Sequence, residues 1–248
     1  MKILVCISNV PDTTSKINFT NGDTEFDTNG VQFVINPNDE FGLTRAVWFK
    51  EQQGATVTVI NVGLADSEAT LRKALAIGAD DAIRINANPT DGTFVAKQLA
   101  ELAKQGNYDL IIAGKESLDY NGGMVPGMLS ADLGYNFVNS CISLTVEGNN
   151  ATALREIDGG KETLSATLPL VVGGQKGLVE EKDLRIPNMR GIMQARTKVI
   201  TIVEPTNNEA ATKAVKFEKP AAKSAVKLVS ADNLDELINL LHNEAKVI

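Results

Sequence analysis

The chain predicts an α/β fold, a Rossmann-like parallel sheet with helices on both faces, followed by an antiparallel meander and a C-terminal arm. Three observations carry this. Short apolar runs at residues 3–7, 56–62, 82–85 and 108–113 alternate with helix-period segments, the βαβ pattern that builds a parallel sheet. After Gly134 the texture changes to two-residue alternation, broken by Glu147-Gly148-Asn149-Asn150 and Asp158-Gly159-Gly160, which reads as a meander. From Glu204 to about Ser224 the chain turns rich in Pro, Asn, Ala and Lys, too poor in large apolar residues to fold on itself. An α/β domain is therefore expected over 1–204, with 205–248 as an extended arm.

Residues 3–7 form the first buried strand and contain Cys6. Residues 17–35 carry small alternations around Asn21-Gly22-Asp23 and Asn29-Gly30, which are hairpin signals. Asn36-Pro37-Asn38-Asp39 opens a helix, with Asp39 or Asn38 as its N-cap, and Gly54 ends it. The strand at 56–62 runs out at Val62-Gly63, and a helix from about Asp66 to Ile77 closes on Gly78. A third strand at 82–85 leads through Asp91-Gly92 into a helix reaching Leu102. The fourth strand ends at Gly114, and a polar turn with Asp119 and Asn121 follows. Gly122 and Gly123 then feed a helix from Met124 to Leu133, which includes Val125, Gly127 and Met128 and has Gly134 as its C-cap. Strands at 137–146, 151–157, 162–168 and 169–174 make up the meander and a further buried strand. Residues 175–196 read as irregular, and 198–203 as one more strand. Ser230 caps a short helix over 231–243, with Leu234, Leu237, Ile238, Leu240 and Leu241 on one side. Such a helix on a tether of ~25 residues is a docking arm more often than a piece of core.

A strand, a glycine-bearing turn and a helix start can together receive an anion, because free backbone N–H groups and the helix dipole meet there. One such unit could equally be a plain connection. In a doubly wound sheet, though, ligands bind beyond the carboxyl ends of strands where strand order reverses. Those ends are Cys6–Asn9, Val62–Gly63 and Gly114–Lys115. A net charge of -7 argues against nucleic acid and anionic membrane surfaces. No apolar run approaches the ~20 residues that span a bilayer, so a soluble cytoplasmic protein without membrane insertion is expected. Cys6 and Cys141 have no CxxC spacing, and His242 is the only histidine, which excludes His-based metal clusters and Ser-His-Asp or Cys-His machinery. No Walker loop is present, and neither a catalytic residue nor a metal site is expected.

At Asn36-Pro37, at Ala74-Leu75-Ala76-Ile77-Gly78-Ala79-Asp80 and above all at Arg155-Glu156-Ile157-Asp158-Gly159-Gly160-Lys161-Glu162, the chain resembles the beta subunit of electron-transfer flavoproteins. The signature residues are Ala153, Arg155, Asp158, Gly159, Gly160, Glu162, Leu164, Pro169, Val171 and Val172, with Gly173 departing from the usual small polar residue or Ala. Val10-Pro11-Asp12 of the first-strand motif is kept, with Ser8 in its Lys position.

The resemblance implies an adenine nucleotide alpha hydrolase-like sheet and an electron carrier rather than an enzyme. It implies a heterodimer with an alpha subunit that carries a redox FAD, served by flavin dehydrogenases such as the acyl-CoA dehydrogenases of fatty acid oxidation. In this subunit it implies AMP, or a second FAD if the flavoprotein is electron-bifurcating. The family's nucleotide contacts fall on Cys6, Asn36, Val62 and the loop holding Asp119, Asn121, Gly122, Gly123, Met124, Val125, Gly127 and Met128. Met124 stands where many members have Gln, Pro126-Gly127 reverses a common Gly-Pro, and neither Thr13 nor Asn38 is aromatic as is frequent there, so AMP and FAD both stay open. Residues 175–196 fall on the family's partner-recognition loop, with Leu184, Ile186, Met189 and Ile192 among Arg185, Arg190 and Arg196. From its own surroundings Met189 reads as a core methionine; the resemblance makes it the docking anchor. Two rivals remain: an ATP-using or ATP-binding stress-type protein on a similar sheet, and a non-redox partner whose nucleotide site has decayed.

Overall fold

The computed structural model describes residues 1–223 and 225–248; Ser224, where the sequence places the end of the tether, lies outside the described residues. The chain begins with β1 (Lys2–Cys6), then makes short outlying strands β2 (Asn9–Pro11), β3 (Phe19–Thr20), β4 (Glu25–Phe26) and β5 (Phe33–Ile35). The alternating half follows as α1 (Pro37–Gln53), β6 (Thr56–Gly63), α2 (Glu68–Ile77), β7 (Asp81–Asn86), α3 (Gly92–Gly106), β8 (Leu110–Gly114) and α4 (Val125–Leu133). Next come β9 (Asn136–Glu147), β10 (Asn150–Ile157), β11 (Gly160–Thr167), β12 (Leu170–Gly174), α5 (Met189–Thr197), β13 (Ile200–Val203) and α6 (Leu234–Asn239).

Nine strands join in one sheet ordered β11-β10-β9-β12-β8-β1-β6-β7-β13. The six from β12 to β13 run parallel, and β9 joins β12 in parallel before turning back as the antiparallel meander β9-β10-β11. Each central strand is buried on both faces, so its side chains divide between two cores as the pleat alternates. In β1, Ile3 and Val5 join the core under α1, α2 and α5, while Leu4 and Cys6 join the core under α3 and α4. This explains why the strands read as unbroken apolar runs.

Three segments differ from the sequence expectation. Helix α1 is capped at Asn36, with Pro37 in its first turn, which leaves the Asp39 side chain free to turn inward. Pro is pre-organised for that first turn, so the cap falls one residue before it. The segment expected to be irregular contains α5, whose cap is the Asn188 side chain accepting the Gly191 N–H at 2.8 Å. Pro187 and Gly191 hid this helix, yet Gly191 is what allows it to form there: a Cβ at that position would collide with the Ala76 carbonyl of α2. The terminal helix is shorter than expected, is capped by Asn233 rather than Ser230, and continues as a wide π turn over Leu240–Glu244.

Beyond β13 the arm does not leave the domain at once. Asn86 donates to Glu204 at 3.2 Å, and Gln98 accepts the Thr206 N–H at 2.8 Å. Asp91 accepts the N–H groups of Ala211 and Thr212 at 2.7 and 2.6 Å. Phe217 then stacks on Phe19 of the β3–β4 hairpin with ring centroids 5.1 Å apart. On α6, Leu234 and Ile238 are exposed.

Candidate functional site

Strand order reverses between β1 and β8. From β1 the chain winds outward to β6 and β7 on one side, and from β8 it goes to the other side, to β12. The β1–β8 ladder runs from Ile3↔Leu110 to Val5↔Ile112. Past that point the strands turn to their outer neighbours. Ile7 donates to Ile60 of β6 and Lys115 donates to Gly174 of β12, each at 2.8 Å. A crevice opens between the two strand ends, at the position where open α/β sheets bind ligands.

One side of this crevice is the first turn of α1. Asp39 is 2% exposed and accepts the Ser8 N–H on one carboxylate oxygen and the Gly114 N–H on the other, both at 2.7 Å. Burial pushes its carboxyl up to about 7, against the pull of those two N–H groups. Asn36 and Asn38 donate their side-chain amides to the Glu116 carbonyl at 2.9 and 3.3 Å. Gly114 lets this turn approach: an added Cβ would run into Asp39 and the Asn38 side chain.

The opposite side is the loop from Lys115 to Met124 and the start of α4. Ser117 and Gly122 bridge each other, Ser117 N–H to Gly122 at 3.1 Å and Gly122 N–H to Ser117 at 3.2 Å. Asn121 sits inside this closed turn in the left-handed region (φ 49°), a conformation Asn tolerates. The Gly122 N–H is thus spent on the turn, and among the described residues the Gly123 N–H has no acceptor. No side chain caps the N-terminus of α4, and Pro126 in its first turn has no N–H to give. Gly123, Val125 and Gly127 therefore offer backbone N–H groups at a positive helix end, suited to an anion.

The sequence-predicted residues fall into four groups. Cys6 and Val62 are buried on the α3–α4 face at the ends of β1 and β6, so their side chains belong to the core. Burial, with the Asp39 charge beside it, pushes the Cys6 thiol up, so it stays neutral. Asn36, Gly123 and Val125 border the crevice. Asp119 and Asn121 lie at the exposed outer tip, Asp119 accepting the Tyr120 N–H at 2.9 Å. Met124 folds over Gly92 at the start of α3, Met128 accepts from Thr93 at 3.8 Å, and Gly127 turns its Cα towards Phe137. Asp39 is the side chain that touches both strand ends, and its sequence context, an Asp after Asn-Pro-Asn, signals a cap and gives no local sign of burial.

The four docking candidates divide in two. Leu184 packs against the larger core and Ile192 is half-buried, whereas Ile186 and Met189 are 84% and 75% exposed. Met193, one turn beyond Met189, is also exposed and extends the outward stripe; its i+4 spacing was the available signal. Arg185 is held by Glu51 beside this stripe. Among the described residues no helix is long and apolar enough to cross a membrane, and no cluster of His, Cys, Asp or Glu could hold a metal ion.

Fold and site together define a doubly wound α/β protein with an anion-receptive helix start at its switch point. A family model described as electron transfer flavoprotein domain matches residues 23–208. Over its whole length the chain is 33% identical to the electron transfer flavoprotein subunit beta of Bacillus subtilis (strain 168), with all of both chains covered. The mitochondrial subunit beta of Oryza sativa subsp. japonica is also 33% identical with both chains fully covered. The subunit beta of Syntrophomonas wolfei is 33% identical over 91% of this chain and 88% of its own. The chain belongs to the electron-transfer flavoprotein beta-subunit family, and its role is that of an electron-transfer flavoprotein beta subunit, a designation that implies an alpha partner.

Proposed function

We propose that this subunit binds AMP at the β1/β8 crevice and, with an alpha subunit that holds the redox FAD, carries electrons away from flavin dehydrogenases of the acyl-CoA type. The observation that carries the nucleotide part is the uncapped start of α4, reached through Gly123 and facing the strand ends at the switch point. There the phosphate accepts backbone N–H groups of Gly123, Val125 and Gly127. The nucleoside lies over the main chain at Cys6 and Val62, where buried small side chains leave the backbone approachable. Such a nucleotide is a structural brace: it joins the loop, α4 and two strand ends into one rigid wall for the heterodimer. The flavin supplies the redox chemistry when bound to the partner, and this chain needs no acid or base of its own for that task.

The dehydrogenase docks on the outward face formed by Ile186 and Met189, an apolar patch ringed by Arg185, Arg190 and Arg196. Mass spectrometry of small molecules released by denaturing the purified heterodimer tests the nucleotide assignment. One AMP and one FAD per heterodimer is the expected result. Two FAD would assign the bifurcating reading, and no nucleotide beyond one FAD would empty the proposed site.

A further inference from the structure

Parallel strands that part company leave backbone N–H groups facing the gap between them, and a buried N–H without an acceptor is destabilising. At the β1/β8 parting those groups belong to Ser8 and Gly114, and one carboxylate, that of Asp39, accepts both at 2.7 Å. Helix α1 does not require an acid there for its own sake, since it is capped at Asn36 and starts with Pro37. The same turn holds the departing loop from a second direction, through the two amide bonds from Asn36 and Asn38 to the Glu116 carbonyl. Asn36 is committed on its other atom as well, its Oδ1 receiving the Leu118 N–H at 3.4 Å.

We propose that Asp39 is the positioning residue of the nucleotide site. Wedged between β1 and β8, it sets the width of the crevice, and with Asn36 and Asn38 it fixes the course of the loop from Gly114 to Leu118. This inference rests on the nucleotide reading above and deepens it. Through its bonds to Glu116 and Leu118, Asn36 also acts on the loop. With the Ser8 and Gly114 N–H groups both taken up by Asp39, neither is free for an anion in that gap. The phosphate is left with the α4 end, where the helix dipole has the favourable sign.

The test uses the heterodimer stripped of small molecules and AMP as the probe, titrated by calorimetry well below the melting temperature. Asp39→Asn keeps the shape but turns one acceptor into a donor facing a backbone N–H. It should weaken AMP binding by about tenfold, the equivalent of the roughly 1.4 kcal/mol expected for one broken buried hydrogen bond. Asn38→Ala removes one amide contact to the loop and should weaken binding about two- to fivefold. Val146→Ala, a truncation in the remote part of the core, destabilises the protein without touching the crevice and should bind AMP as wild type does. Wild-type affinity in Asp39→Asn, or an equal loss in Val146→Ala, would overturn the inference and leave Asp39 as a structural residue only. Should Asp39→Asn fail to assemble, unchanged affinity in Asn38→Ala overturns it instead. A wild-type complex that binds no AMP sinks the nucleotide reading itself, a result distinct from either.

Discussion

Asp91 accepts the Phe94 N–H with one carboxylate oxygen at 2.7 Å and the Thr212 N–H with the other at 2.6 Å, so one side chain caps α3 and anchors the arm. Partial burial disfavours its charge, but the bonds from Phe94, Thr212 and Ala211 prevail and hold its carboxyl below the ordinary value. A depressed carboxyl pKa contributes stability that is present above the unfolded value and is lost as the solution is acidified through the folded one. Asp91→Ala should cost about 1–2 kcal/mol from the lost cap alone. It should also raise hydrogen exchange over residues 206–217, and its stability difference from wild type should shrink below about pH 4. Unaltered exchange in the arm would show that the anchor lies elsewhere.

Asp39 gives the opposite sign. Its carboxyl rises from an ordinary 3.8 to about 7, so between those values the native chain holds a proton that the unfolded chain has released. The contribution of this group to stability is greatest at the acid end and falls as pH rises towards 7. Replacing it by the non-titrating Asn should flatten unfolding free energy against pH over that interval, by at most about 1.4 kcal/mol per pH unit. Parallel curves for the two proteins would show that Asp39 ionises normally.

Much of this architecture was legible because it rests on local patterns. The buried runs of β1, β6 and β8, the helix start at Asp91-Gly92, the Asn21-Gly22-Asp23 turn and the Gly134 C-cap follow from residue types and spacing alone. The α5 helix was concealed by Pro187 and Gly191, although Asn188 followed by Met189, Ile192 and Met193 carried its cap and its period. The role of Asp39 could not be read, because it depends on the divergence of two strands, one of which it reaches only at Gly114, 75 residues away in the chain. The arm's return to the domain was similarly hidden, since Thr206, Ala211 and Thr212 bind through main-chain N–H groups that any residue possesses. Phe217, the one Phe, Tyr or Trp in the arm, was the exception and could have been read as an anchor.

Gly123 should be intolerant of a side chain. A Cβ there would stand 3.3 Å from the Lys115 carbonyl and, with two further methyl groups, would cover the N–H groups leading into α4. Gly123→Val is expected to yield a folded heterodimer with its nucleotide content reduced to a small fraction, measured by mass spectrometry after denaturation. Full occupancy in that variant would remove the phosphate from this loop.

The two halves of the arm should behave differently on truncation. Removing residues 230–248 takes away the exposed Leu234, Leu237 and Ile238 and should weaken pairing with the alpha subunit while leaving the melting temperature of this chain nearly unchanged. Removing everything from 205 also deletes the bonds to Gln98 and Asp91 and the Phe217–Phe19 stack, and should lower that temperature by several degrees. Normal pairing by the shorter truncation would place the alpha-subunit contact outside α6.

Docking of the dehydrogenase supplies the last prediction. A carrier that must bind and leave quickly needs a small contact centred on a few apolar anchors, with charges at the rim. Ile186 and Met189 stand outward on either side of Pro187-Asn188, and the Asn188 cap fixes where Met189 begins α5. The thioether of Met189 adapts to pockets of different shape, while Ile186 presents a stiffer, branched surface. Each change to Ala should remove about 1–3 kcal/mol of docking, or roughly one to two powers of ten in partner affinity. Melting temperature and flavin content should not move, because at 84% and 75% exposure neither side chain supports the core. The measurement is electron transfer from a reduced acyl-CoA-type dehydrogenase, titrated against the heterodimer. A raised half-saturating concentration with an unchanged maximal rate is the expected result, whereas wild-type titration curves for both variants would move the docking site away from this loop.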